Sequence, residues 1–347
     1  MYGVHETPNP DASDTEGANP AGRMRAIAAD RYGPPAGLEL RDVPVPVPAD
    51  DEVLMRVEAA SVNPLDWHRA TGNPYLMRLS EGLRRPALPL GNDVAGRVEA
   101  VGAAVEDLRP GDEVFGSCRG AFAELALASP AALVRRPEGV SAAAAAALPI
   151  AGATALQALR DKAALQPGES VLVIGASGGV GTFAVKLARV LGAGEVTAVC
   201  SGANGDLVRS LGADEVIDYR TTDVTTLGRR HDVVVDNAGR HPFRDRRRAM
   251  ATDGRWVQVG FPKGPLVAGL DQMLWGKLLG PFGAGSFHPH FTSISAADLE
   301  ELAAYVVAGD LDPVIGSVRS LAEVGGALEE IAGGHTRGKL VIDVLGR

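Results

Sequence analysis

The sequence predicts an α/β protein in two parts, a small unit of short strands followed by a doubly wound parallel sheet. Three observations predict it. Between Met24 and Ala131, short β-runs are punctuated by frequent turns, the pattern of a small barrel or sandwich. After Ser141, apolar runs suited to strands buried on both faces alternate with helical periodicity. At the first such alternation stands a glycine-rich segment, Gly175-Ala-Ser-Gly178-Gly179-Val-Gly181, between a strand and a helix.

Each element follows from local pattern. Residues 1–22 are rich in Pro, Asn, Asp and Gly without periodicity, which predicts a disordered tail. Residues 53–57 read as a strand, as do 91–101 and 112–115, with Pro110-Gly111 turning into the last. An alanine-rich helical run then leads to 171–174, a continuous apolar strand. Val180, Phe183, Ala184, Leu187, Ala188 and Leu191 repeat at the spacing of one helix face. Further strands are expected at 196–200, 216–218, 232–236 and 256–259. Ser295 with Asp298 predicts a capped helix through Val306. A helix over 321–331 then precedes a final strand over 339–344.

Composition limits the function. The 347 residues allow two domains, and 46% hydrophobic with 22% charged residues suits a globular chain. A net charge of −9 argues against nucleic acid, whose phosphates need a basic face. The clusters Arg229-Arg230 and Arg246-Arg247-Arg248 are short and read as surface. Two cysteines, Cys118 and Cys200, cannot build a four-cysteine zinc lobe or a disulfide framework, which fits a reducing compartment. The N-terminus has no basic region followed by an apolar one, and its acids argue against a transit peptide. The most apolar stretch, 140–159, is mostly alanine and contains Pro149 and Gly152, so no membrane span is expected. The expected compartment is the cytoplasm.

The glycine segment carries the most chemistry. Glycines allow a tight turn and a close approach of backbone to a pyrophosphate, while a helix start offers free N–H groups and a positive dipole end. Gly175, Ala176, Ser177, Gly178, Gly179, Val180 and Gly181 are therefore candidate dinucleotide-binding residues. Aligned on Gly178 and Gly181, the first position of G-x-G-x-x-G is Ala176, with Gly175 one step earlier. The second strand ends Cys200-Ser201-Gly202-Ala203-Asn204 without the acid that binds a ribose 2′-hydroxyl. Ser201 and Asn204 can donate to a 2′-phosphate, Tyr219 can add a hydroxyl, and Arg337 or Lys339 a charge. This favours NADPH over NADH. Asp218 is a rival acid, one strand further on.

The chain resembles a known family from Met24 almost to its end. Ala60-Ser-Val-Asn63-Pro64-Leu-Asp66-Trp67, Gly91-Asn-Asp93-Val-Ala-Gly96-Arg-Val-Glu-Ala-Val101-Gly102, Gly111-Asp-Glu-Val-Phe-Gly116 and Gly120-Ala-Phe-Ala-Glu124 occur in the order found in zinc-independent quinone oxidoreductases of the medium-chain dehydrogenase/reductase family. Pro149 with Thr154-Ala155, the 175–181 loop, Asp236 and Gly338-Lys339 continue it. The resemblance implies a GroES-like β-domain plus a Rossmann doubly wound parallel sheet. It assigns 23–145, completed by 284–347, to the first domain and 146–283 to the NADP(H)-binding domain. The cofactor cleft would lie between them, with Asn63, Pro149, Thr154 and Asn237 among its residues. A dimer or tetramer is implied as well.

The same resemblance bears on metal. Zinc alcohol dehydrogenases of this superfamily begin the first motif with Cys and open the second with Gly-His-Glu. Here Asn63 and Gly91-Asn92-Asp93 stand in those places, so no metal is expected. His288-x-His290 lacks anything to complete a site. Without a Lewis acid, hydride transfer from NADPH to a small hydrophobic acceptor, a quinone or enone, is the easier chemistry. By resemblance, Asn63 and Asp66 shape the nicotinamide end of the cleft, although Asp66 reads equally as a turn carboxylate. Tyr75 lies one residue from the tyrosine acid of related enoyl reductases, and His68 where some quinone oxidoreductases carry tyrosine. Each is a proton donor or a polar pocket residue. Met273, Leu274, Trp275, Phe282 and Phe287 line the substrate site, a dimer interface or the core. Competing readings are an enoyl reductase acting on an unsaturated ketone or thioester, and a non-catalytic NADPH-binding sensor.

Overall fold

The computed structural model describes residues 22–73, 89–260 and 285–346, together with Tyr75, Arg78, Gly82, Leu83, Arg84 and Pro86. The expected tail up to Ala21 lies outside the described residues, as do Met273, Leu274, Trp275 and Phe282.

The first unit opens with a hairpin-like pair, β1 (Arg23–Ala28) and β2 (Glu39–Pro44). The strands β3 (Val53–Val62), β4 (Asp93–Val101), β5 (Glu113–Ser117), β6 (Leu125–Ala128) and β7 (Leu133–Arg135) follow, with helix α1 (Pro64–Thr71) between β3 and β4. Gly111, at φ +95°, makes the turn expected before β5. Helix α2 (Ala142–Ala147) is capped by Ser141, whose hydroxyl accepts the Ala144 amide. Helix α3 (Pro149–Gln157) begins with proline at a position that needs no N–H donor, and Ala158–Lys162 continues it as a π-helical turn.

The second unit alternates β8 (Ser170–Ile174), α4 (Gly179–Val190), β9 (Glu195–Cys200), α5 (Gly205–Ser210), β10 (Glu215–Asp218), β11 (His231–Asp236), α6 (Phe243–Arg246), β12 (Met250–Gln258) and β13 (Ser286–Pro289). All pairings in this sheet are parallel, in the order β10-β9-β8-β11-β12-β13. The order reverses between β8 and β11, which opens a crevice at the strand C-termini. Val171, Leu172 and Val173 are fully buried because helices cover one face and a second apolar cluster covers the other. Phe287 is half-buried and packs against that second cluster, with its ring 6.3 Å from Trp256.

Helix α7 (Ala296–Ala308), strand β14 (Ile315–Ser320), helix α8 (Val324–Gly333) and strand β15 (Lys339–Asp343) complete the chain. Strand β15 lies second from the edge of the first unit's seven-stranded sheet, parallel to β14 and antiparallel to β3. The return to the first unit thus comes later than the expected boundary after residue 283. Strand β13 still belongs to the parallel sheet, and α7 packs on α3. One apolar cluster, including Ala59, Phe115, Ala146, Leu156, Val173 and Leu302, runs through both units. Among the described residues, no helix is long and apolar enough to cross a membrane.

Candidate active site

The glycine loop leaves β8 with Gly175 at φ +77° and enters α4 through Gly178. Gly181 is the position that requires glycine most strictly. A Cβ there would lie 2.1 Å from the Gly175 carbonyl oxygen and 2.7 Å from the Ala176 backbone. Ala176 is itself fully buried in the core, which explains why a side chain is tolerated at the first position of the spacing. At Gly178 a Cβ would meet nothing nearer than 3.6 Å, so glycine there leaves open space at the head of the helix. The first-turn amides of α4 face that space without intrahelical acceptors.

The sheet edge beside the loop gathers three of the predicted residues. Asn204 Nδ2 donates to Ser177 Oγ at 3.0 Å and to Ser201 Oγ at 3.2 Å. Tyr219 is exposed. Arg337 is exposed as well and immediately precedes Gly338, whose amide donates to the Ser177 carbonyl. Asp218 stands directly beside Cys200 in the β9–β10 register, and its Oδ2 would lie 2.6 Å from a Cβ on Gly202. The rival acid therefore reaches the same loop despite belonging to the next strand.

The other end of the site is a buried polar cluster. Asn63 precedes α1, and its backbone amide donates to Asp66 Oδ2 at 2.8 Å. Asn63 Nδ2 donates to Asp93 Oδ2 at 2.9 Å, and Asn63 Oδ1 accepts Lys339 Nζ at 2.6 Å. Lys339 Nζ lies 3.5 Å from Asp93 Oδ2, and both side chains are almost fully buried. Asp93 Oδ1 also accepts the Ile150 amide at the start of α3, at 3.2 Å. Burial pushes the Asp93 carboxyl up and the Lys339 ammonium down, and each partner pulls the other back toward the charged form. Burial likewise pushes Asp66 up to about 7, and its Oδ1 has no hydrogen-bond partner among the described residues.

Lys339 is thus committed differently from the charge expected for a 2′-phosphate. Its stem passes Gly179, where a Cβ would lie 3.0 Å from Lys339 Cδ, and its ammonium ends at Asn63. Just before it, the Gly338 amide donates to the Ser177 carbonyl at 2.8 Å. The final strand therefore ties the glycine loop to the Asn63 cluster.

From α3 the network runs on. Thr154 donates to the Ile150 carbonyl and bonds Thr292, while Gln157 donates to the Ser293 carbonyl. Asn237, after β11, donates to the Ile174 carbonyl at 3.1 Å, and its Oδ1 has no partner among the described residues. Tyr75 and His68 contact other groups. Tyr75 is 56% exposed, with the Arg78 guanidinium 4.7 Å from its ring centroid. His68 Nδ1 bonds the Asn73 carbonyl beyond the end of α1, and its ring packs edge-on against Trp67. The pairing of Asp93 with Lys339 was invisible in sequence order, although both residues stood in recognised motifs. Thr292 carried no sequence signal at all.

Known proteins show the same architecture. A family model described as "Alcohol dehydrogenase GroES-like domain" matches residues 49–138, and one described as "Zinc-binding dehydrogenase" matches 211–342. The chain is 36% identical over 338 residues to the chloroplast envelope quinone oxidoreductase homolog of Arabidopsis thaliana, covering 92% of this chain and 98% of that one. It is 35% identical over 323 residues to the trans-enoyl reductase pgmF of Aspergillus terreus, covering 85% and 86%. Among solved structures, the quinone oxidoreductase from Coxiella burnetii superposes with a TM-score of 0.83 at 30% identity, covering 93% of this chain and 99% of that one. These matches and the geometry above make the chain an oxidoreductase of the medium-chain dehydrogenase/reductase family, on its quinone oxidoreductase-like branch.

Proposed function

We propose that this enzyme transfers hydride from NADPH to a quinone or another conjugated carbonyl without a metal. The observation that carries this reading is the buried Asn63–Asp93–Lys339 cluster. Two of its members, Asn63 and Asp93, stand in the two motifs that carry the Cys and the Gly-His-Glu in zinc alcohol dehydrogenases. A carboxamide bonded to an ammonium, and a carboxylate paired with it, form a poor donor set for Zn²⁺. The ammonium also repels a dication and favours the negative charge that develops on a nearby acceptor oxygen during hydride transfer.

The site fits a nicotinamide dinucleotide. Gly178 leaves the open cradle, α4 supplies the helix start for the pyrophosphate, and the unpartnered Asn237 Oδ1 suits a ribose hydroxyl. Ser201, Asn204 and Tyr219 would hold a 2′-phosphate, with Pro149 and Thr154 toward the nicotinamide. When bound, the cofactor supplies the hydride. The protein orients it, through Asn63 and Lys339 joined to the glycine loop, and keeps the pocket dry.

Purified protein should oxidise NADPH with a panel of quinones and enones, and NADH more slowly. Turnover with zinc that survives only without chelator would overturn the metal-free reading. NADPH binding without turnover of any acceptor would favour a sensor. The 35% identity to a trans-enoyl reductase supports a second reading, enone reduction with Tyr75 as the acid. Tyr75→Phe should lower kcat at least about tenfold if that acid is required. With quinones, where solvent can protonate the product, it should change kcat less than about twofold.

A further inference from the structure

His290 directly follows β13, at the C-terminal edge of the parallel sheet where doubly wound folds bind ligands. It is 3% exposed, and neither ring nitrogen has a hydrogen-bond partner among the described residues. Burial, reinforced by the charge of Lys162, holds its pKa below the ordinary histidine value. The ring is therefore neutral and presents one N–H donor and one bare nitrogen acceptor. Buried polar groups are nearly always satisfied, so a pair of unmet nitrogens at a ligand-binding edge points to a missing partner.

The position of the segment narrows what that partner is. The His290 amide donates to the Gln258 carbonyl at 2.9 Å, holding it beside the end of β12. Two residues on, Thr292 bonds Thr154 of α3, which is linked through Ile150 to Asp93. His288 and His290 both feel the charge of Lys162, in the turn that continues α3. His288 has found a partner in Ser286, whereas His290 has none. The segment that carries His290 is thus tied through Thr292 to the α3 residues that lead to Asp93 and the Asn63 cluster.

We propose that His290 is a positioning residue that binds the carboxamide of the nicotinamide ring through one ring nitrogen. A primary carboxamide carries both a donor and an acceptor, so it matches either tautomer of a neutral imidazole. This inference rests on the reading that the site takes a nicotinamide dinucleotide.

The test titrates two ligands by direct binding, NADPH and the 2′-phosphate of ADP-ribose, which lacks the nicotinamide. His290→Phe and His290→Leu remove both nitrogens, with ring volume kept or lost, and His290→Asn returns a donor and an acceptor. The Phe and Leu variants should bind NADPH about tenfold more weakly, with 2′-phospho-ADP-ribose changed less than about twofold. Their ligand-free melting temperature should match or exceed that of the parent, and His290→Asn should recover most of the NADPH affinity. Unchanged NADPH affinity in Phe or Leu, or equal loss for both ligands, would overturn the inference while leaving the cofactor reading intact. Failure of the unaltered protein to bind either NADPH or NADH would overturn both. If one apolar variant does not fold, the other and His290→Asn still decide.

Discussion

Asp66 is fully buried with one carboxyl oxygen bonded to the Asn63 amide and the other without a partner among the described residues. Its folded pKa of about 7 lies above the unfolded value of 3.8. Between those values the folded protein holds a proton that the unfolded chain has released. Stability contributed by Asp66 is therefore present at low pH and lost as pH rises toward 7, at about 1.4 kcal/mol per unit. Asp66→Asn keeps an oxygen for the Asn63 amide and removes the titration. Urea midpoints at pH 5 and pH 8 should fall less in the variant than in the parent, and parallel falls would count against a titrating Asp66. Asp218 poses a separate residue-scale question. Its carboxylate reaches the Ser201–Gly202 loop, where it would repel a 2′-phosphate. Asp218→Asn should therefore raise the ratio of NADPH to NADH in kcat/KM by about tenfold, and an unchanged ratio would remove Asp218 from cofactor choice.

Loop and helix geometry separates two glycines that look alike in sequence. At Gly181 a methyl group would strike the Gly175 carbonyl, so Gly181→Ala should destabilise the protein by more than about 2 kcal/mol, read in denaturant unfolding. At Gly178 there is space for the methyl group within the fold. Gly178→Ala should keep stability within about 0.5 kcal/mol yet weaken NADPH binding, because the added carbon fills the head of α4 where phosphate would approach. Equal effects of the two substitutions would contradict this division. Elements built on strong periodicity were legible: β8, α4 and the strands 9 to 12 of the parallel sheet lie where apolar runs and turns predicted them. Strands β13 and β14 were not. The sequence Ser286–Pro289 contains proline and histidine, and Ile315–Ser320 alternates between half-buried and exposed residues around Gly316. Neither shows a β signal of its own, and each becomes a strand because a parallel neighbour offers its edge.

At the scale of the whole molecule, the site exists only because distant parts of the chain meet. Asn63 and Asp93 come from the first unit, the glycine loop from the second, and Lys339 from the returning C-terminal strand that touches both. Motif spacing marked each of these residues, but not that Lys339 turns its ammonium to Asp93, because that pairing depends on β15 lying beside β3. An apolar cluster common to both units predicts that they unfold together. NADPH at about 100 times its Kd should then add about 2.7 kcal/mol to a single transition and move it upward as one. Breaking a buried ion pair by removing one partner costs about 3–5 kcal/mol. Lys339→Met should therefore lower that transition, and it should also shrink the NADPH-induced shift, because the link between loop and cluster is gone. Calorimetry with and without NADPH decides the matter. Two transitions in the parent, with NADPH moving only one, would mean that the units are thermodynamically separate. A full NADPH shift in Lys339→Met would mean that the glycine loop binds the dinucleotide without help from the returning strand.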